Sequence, residues 1–377
     1  MGTASRGLWI FGVATAIALG GCTGTQNRQS ILPSAQIAAP LKLCTPAAPP
    51  ADLLARPGFT QLAVSVTDST GKPVTGLKQS DFEARAGGQI LPIEYFHEEP
   101  NGAPTSIVIV MDLSVSMSTN LIPYLSKVEA VQKALPDAVN RLNGCDEIAM
   151  LVFGGNEFAD EQTIGQTLNS GPYQGARATP IRLLQPLTTD HELALMRVAD
   201  RKPFGPAPLY DAMQRGLTML ESAHYPNRAL IVITDGMDTS SSIKKEDLIA
   251  NINRSGVPVY AIELGEPNAP SFHTPPSVWI SPYPFPIRIG DSTLVDTGTL
   301  EKLTVPNGGQ LLIVPHAKYD SSVTLNDELN STVANLNHEY AIGVVVPAGS
   351  ARPEIVVASR HNLKVRAHVV HGSQPNP

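Results

Sequence analysis

The chain has 377 residues, of which 16% are charged, and a formal net charge of -7 at pH 7. That mild acidity argues against a nucleic-acid binder, which needs a basic face. The length suffices for one large or two ordinary domains with a substantial core, and 33 prolines with 30 glycines predict long irregular connections.

Taken in chain order, the first residues read as an export signal. Arg6 supplies the positive start. Leu8 to Leu19 is an apolar run, shorter than the roughly 20 residues a bilayer-spanning helix requires. It ends in Leu19-Gly20-Gly21-Cys22, which resembles the lipobox of bacterial lipoproteins. The resemblance implies that residues 1–22 are a signal peptide and a lipidated Cys22. Its lipid chains would anchor the protein by burying methylenes at about 0.8 kcal/mol each. Thr23, rather than Asp, follows Cys22, a pattern that implies outer-membrane delivery. Residues 23–57, rich in Ala, Pro, Ser, Thr and Gln, read as a flexible tether. Export makes a disulfide between Cys44 and Cys145 possible, but sequence leaves the pairing open. No CxxC or clustered Cys/His spacing suggests zinc.

Residues 58–100 form an N-terminal β segment. "LAVSVTD" alternates, and "DFEARAGGQILPIEYF" predicts two more strands around Gly87-Gly88. From 105 to 336, buried strands alternate with helices. "SIVIVMD", "EIAMLVFG", "RALIVITDG", "PVYAIELG" and "GQLLIVP" are the strands. Helices are expected over 121–142, 208–222, 244–253 and 320–336, with Pro136 interrupting the first. The alternation predicts an α/β fold: a Rossmann-like, doubly wound, mostly parallel sheet with helices on both faces. Residues 337–377 are a C-terminal β segment, and the two flanking segments are expected to pair into one satellite sheet. The long Gly- and Pro-rich stretches 154–180 and 266–292 break the rhythm and are candidate binding loops. Phe153 and Met150 are expected in the core. Tyr210 and Asp211 are expected to support helix packing, and His368 and His371 to face solvent. "HELAL" at 191–195 lacks the second histidine of a zinc-protease motif, Leu195 standing in its place.

One constellation carries chemistry. The strands "IVIVMD" and "ALIVITD" end in Asp112 and Asp235, and Ser114 and Ser116 follow the first acid. Ligands of open α/β sheets sit beyond the carboxyl ends of the strands. If the strands are neighbours, two carboxylates and two hydroxyls converge there. Paired carboxylates repel unless positive charge joins them. Oxygen-only ligands suit Mg²⁺, Mn²⁺ or Ca²⁺.

"DLSVSM", then "APLYDA", then "VITDGMD" is similar to the von Willebrand factor type A family. In that family, DxSxS is the metal-ion-dependent adhesion site. The flanks, "VTDSTGKPVTGLKQSDFE" before and "LNHEYAIGVVVP" after, resemble a bacterial lipoprotein subgroup. The resemblance implies metal ligation by Asp112, Ser114, Ser116 and Asp235, with Asp238 orienting a water of the metal shell. Ala207 stands where the family has threonine and offers no oxygen, so either water fills that place or the site is degenerate and empty. The implied function is a lipid-anchored envelope module, not an enzyme, that uses a divalent cation to engage a carboxylate on a protein partner. The alternative is a metal-free structural or adaptor protein.

Overall fold

The computed structural model describes residues 41–99, 102–155, 181–265, 297–315, 321–358 and 362–372. The expected signal segment with Cys22, the first part of the tether, and nearly all of the loops 154–180 and 266–292 lie outside the described residues.

In chain order, a short helix α1 (Ala51–Leu54) precedes β1 (Phe59–Thr67), β2 (Phe82–Ala86), β3 (Gln89–Leu91) and β4 (Ile93–Glu99). Next come β5 (Ser106–Leu113), the hairpin β6 (Asn120–Ile122) and β7 (Leu125–Ser126), α2 (Lys127–Val139) and β8 (Glu147–Gly154). They are followed by β9 (Arg182–Thr188), α3 (His191–Val198), α4 (Leu209–Glu221), β10 (Arg228–Thr234) and α5 (Lys245–Ser255). The core ends with β11 (Val259–Leu264), α6 (Thr297–Thr304), β12 (Gln310–Val314) and α7 (Ser321–Asn337). The last strands are β13 (Glu339–Val345), β14 (Glu354–Val357) and β15 (Lys364–His371).

The central sheet has the order β12-β11-β10-β5-β8-β9, parallel except for β9, which runs antiparallel to β8. This is the doubly wound α/β architecture that unbroken apolar strands require, because both sheet faces must be covered. Along β5 the side chains alternate. Ile107, Ile109 and Met111 join the core under α2, α3 and α7. Val108 and Val110 join the opposite core under α4, α5 and α6. Each such aliphatic side chain, fully buried, stabilises the fold by about 1.5–3 kcal/mol. Gly216 lets α4 approach closely, since a Cβ there would lie 2.7 Å from the Leu230 side chain. Phe153 and Met150 are fully buried, as expected.

The flanking segments pair with each other. β1 lies between β13 and β15 in the sheet β15-β1-β13-β4, and β14-β2-β3 forms a second sheet. Leu62, Val64, Phe82, Ala84, Tyr340, Ile342 and Ile355 make a shared apolar layer between the two. The satellite is therefore a sandwich built from both sides of the core in sequence, not a single sheet.

Four expectations need correction. The helix expected over 121–142 begins at Lys127, because Ser126 and Glu129 form a capping box there. The hairpin β6–β7, with Tyr124 at φ 66°, takes the preceding residues. Pro136 does not end α2, which continues to Val139. His368 is buried at 5% exposure, whereas His371 is exposed. Residues 41–57 are not a loose tether. Cys44 is disulfide-bonded to Cys145 with Cα atoms 5.7 Å apart. The Lys42 amide donates to Thr189 Oγ1, and the Cys44 amide donates to Tyr225 Oη. Three further elements escaped the sequence reading: the edge strand β9, helix α3 and helix α6. No helix among the described residues is long and apolar enough to cross a membrane.

Candidate functional site

The strand order places β5 and β10 side by side, and these two strands flank the point where the chain's progression across the sheet reverses. Crevices at such switch points are where open α/β sheets bind ligands. The register Met111↔Ile233 makes Asp112 level with Thr234. Asp112 is fully buried and Asp235 nearly so.

The side chains form one connected array. Thr234 Oγ1 donates to Asp112 Oδ2 at 2.7 Å, and the Ser114 amide donates to Asp112 Oδ1 at 2.7 Å. The hydroxyls of Ser114 and Ser116 lie 3.0 Å apart, and Ser116 Oγ donates to Asp235 Oδ1 at 3.1 Å. Lys127 Nζ then donates to Asp235 Oδ2 at 3.0 Å, an ion pair whose side chains are 10% and 5% exposed. Burial, and secondarily the neighbouring Asp235 charge, raises the Asp112 carboxyl above the ordinary range.

Local sequence explains the placement. Ser114 leads into a 3-10 turn, Val115–Ser118, that carries Ser116 back over the strand ends. The Lys127 amide donates to the Thr119 carbonyl, which ties the start of α2 to the end of that turn. A crossing loop closes the other side: Phe204 donates from its amide to Leu113, Val115 to Gly205, and Gly155 to Phe204. Gly154 adopts φ 76°, and any Cβ there would lie 2.5 Å from the Leu113 carbonyl oxygen, so the passage tolerates no side chain.

All four sequence-expected residues, Asp112, Ser114, Ser116 and Asp235, thus meet in one array. Asp238 holds the start of α4. Its Oδ1 accepts from the Tyr210 amide at 3.2 Å and from the Ser241 hydroxyl. Asp211 accepts from the Ser242 and Ile243 amides and so supports packing between helices and loops. Ala207 is buried, its amide donating to Thr239 Oγ1 and its carbonyl accepting from the Thr239 amide. Lys127 and Thr234 were missed. The available signal for Lys127 was its position: it begins the buried stripe continued by Val131, Leu135 and Ala138, where an apolar residue belongs.

Asp112, Ser114, Ser116 and Asp235 are the donors a cation would meet here. Their chemistry, all oxygen, suits a hard ion. Yet both Asp112 oxygens and both Asp235 oxygens already accept hydrogen bonds, and the positive charge beside them is an ammonium. Ala207 adds no side-chain oxygen.

No family model and no curated protein matches the chain. Solved structures do. The chain resembles von Willebrand factor type A domains. A von Willebrand factor type A protein from Catenulispora acidiphila is 12% identical, with a TM-score of 0.41 over 84% of this chain and 74% of that one. The conserved hypothetical protein BatB from Bacteroides thetaiotaomicron is 15% identical, with a TM-score of 0.39 over 60% of this chain and 98% of that one. The vWF domain of the type V pili tip protein Mfa5 from Porphyromonas gingivalis is 9% identical, with a TM-score of 0.39 over 63% and 96%.

Proposed function

We propose that this chain is a non-enzymatic, protein-binding module of the cell envelope, held to the membrane through lipid on Cys22. Its partner docks on the loops at the carboxyl edge of the central sheet. The observation that carries this reading is the junction of Asp112, Ser114, Ser116, Asp235 and Lys127 at the switch point. Beside it, three residues before Lys127, Tyr124 stands 98% exposed at a hairpin tip with φ 66°. A bulky residue held in the left-handed region is backbone strain of the kind that clusters at functional sites. Aromatic side chains displayed this way are typical interface anchors.

The adaptor needs no metal in this form, because the array is already closed by an internal cation. A second reading keeps Mg²⁺, Mn²⁺ or Ca²⁺ as the positive charge and a carboxylate on the partner. It is favoured by the oxygen-only character of the four side chains. Export has separate support in the Cys44–Cys145 disulfide, a bond that persists in oxidising compartments. The lipobox-like Leu19-Gly20-Gly21-Cys22 supports lipid anchoring, and Thr23 supports outer-membrane delivery.

Capture from an envelope extract, with and without EDTA, tests the reading. Wild type, Tyr124→Ala and Asp112→Asn are compared. The expected result is a defined set of proteins that survives EDTA and is lost with Tyr124→Ala, a surface change that leaves the core intact. Loss on chelation selects the second reading. Identical catches from all three chains would remove the top face from the binding surface. Replacing Cys22 with serine should release the protein from the membrane fraction; retention there would overturn the anchor.

A further inference from the structure

We propose that Lys127 is the resident cation of the carboxylate pair: a tethered ammonium takes the place of a divalent ion, so that the site binds such ions only when Lys127 is removed. The inference deepens the reading of the top-face site and rests on that site being the functional one.

Three observations point the same way. The first is position. Lys127 opens α2, where the helix dipole disfavours a cation. It also heads a buried stripe whose other members are apolar. Both features are unfavourable for lysine unless its ammonium reaches a fixed anion, and Asp235 lies 3.0 Å from it. The second is anchoring. The capping box of Ser126 and Glu129 sets the start of α2, and the Lys127 amide is bonded to the Thr119 carbonyl. Ser116, three residues before Thr119, is bonded to the same Asp235 carboxylate. The ammonium is therefore delivered by the same loop that carries the hydroxyls. The third is the missing oxygen at Ala207, which leaves any entering ion short of a donor that the internal cation does not need.

Coulomb energy explains why one cation excludes the other. An ammonium within contact of a carboxylate in a poorly hydrated pocket interacts far more strongly than it does in water. A divalent ion must break that pair and strand the ammonium, and a buried unpaired charge is strongly unfavourable. A lysine joined to the chain is present at high effective concentration, whereas a free ion must be recruited from solution.

The test is ion binding and thermal unfolding of the purified full chain, using MgCl₂ and MnCl₂ as probes and EDTA as control. Wild type should show no calorimetric binding and no shift in Tm with millimolar ion or with EDTA. Lys127→Met should lose about 5–10 °C in Tm without ion, as expected for a broken buried pair. Adding Mn²⁺ should restore most of that loss with one ion bound per chain. Lys127→Arg should stay blind to ions. The double change Lys127→Met with Asp235→Asn should regain Tm without ion and also stay blind. Lys127→Gln carries the same readout should the methionine variant fail to fold. Stoichiometric micromolar binding of Mn²⁺ by wild type would overturn the proposal, as would no ion response in either neutral variant. Neither result bears on partner capture, and failure of partner capture would leave the ion measurements standing.

Discussion

Thr234 shows how much one hydroxyl can do at a strand end. It donates to Asp112 Oδ2 at 2.7 Å and accepts from the Gly236 amide at 3.0 Å, with no solvent access. Valine has the same shape and offers neither bond. A hydrogen bond to a carboxylate contributes about 1.5–3 kcal/mol, and an orphaned buried amide adds to the loss. Thr234→Val is therefore expected to lower stability by about 2–4 kcal/mol in urea unfolding, and Thr234→Ser by much less. Equal losses for the two would mean that the methyl group, not the hydroxyl, matters there. Tyr340 plays a similar part in the sandwich: its hydroxyl donates to the Val74 carbonyl and accepts from the Leu77 amide, while its ring packs on Phe82 and Phe96. Asp112 and the serines could be read as a site because their spacing is local. The pairing of Asp235 with Lys127, 108 residues away in the chain, could not, although a lysine in an apolar stripe marked that position as unusual.

At the scale of elements, the segment around α1 is the part whose expected character changed most. Its composition is that of a linker, yet the bond from Cys44 to Cys145 pins it to the loop before β8. The bridge spans 101 residues. In the chain-entropy account, closing a loop of that size stabilises by about 4.7 kcal/mol. Replacing both cysteines with serine should cost about 3–5 kcal/mol in reversible unfolding under non-reducing conditions. It should also expose residues 41–57 to protease before the core is cut. Unchanged stability and unchanged cleavage order would show that the hydrogen bonds of Lys42 and Cys44 suffice alone. The strands β5, β8, β10, β11 and β12 were legible because each is an apolar run long enough to cross a buried sheet. Strand β9 was not. It is a partly exposed edge strand that carries Pro186, a residue confined to edges, and its pattern lacks an unbroken apolar run.

The whole molecule is joined at the end of the central sheet opposite the candidate site. There Asn227, just before β10, donates through Nδ2 to Thr105 Oγ1 at 2.9 Å and to Glu339 Oε2 at 2.8 Å. Its Oδ1 accepts from His368 Nε2 at 2.8 Å, so β13 and β15 of the sandwich and β5 and β10 of the core share one buried amide. Burial raises the Glu339 carboxyl to about 8, with a further contribution from the Asp146 charge, against a lowering by Asn227. Burial raises Asp146 to about 7. Burial lowers His368 to about 3, helped by Arg352. The two acids bind more protons folded than unfolded, so the stability they contribute is fully present below about 4 and is lost as pH rises towards 7 to 8. The histidine acts in the opposite direction, stability rising between pH 3 and 6.5 and then staying level. Above pH 6.5 the histidine is level, and the slope comes from the raised acids, Glu339 and Asp146 here and Asp112 at the other end of the sheet. Unfolding free energy should therefore fall from pH 6.5 to 8, by up to about 1.4 kcal/mol per pH unit for each acid, and Tm should fall with it. Glu339→Gln should flatten its share of that slope. A wild-type Tm that is level across this range would refute the assignment.

The sequence by itself determined the α/β core, the five buried strands, the two strand-end acids with the two hydroxyls that follow the first, and the β character of both flanks. These are consequences of periodicity and strand-end chemistry, properties of a few adjacent residues. Only the tertiary structure decided that the flanks close into a sandwich, that Cys44 meets Cys145, that His368 is buried, and that Lys127 reaches Asp235. Each of those depends on where distant parts of the chain cross. Charge pairing and disulfide geometry act over a few ångströms of space, and spacing along the chain carries no record of them.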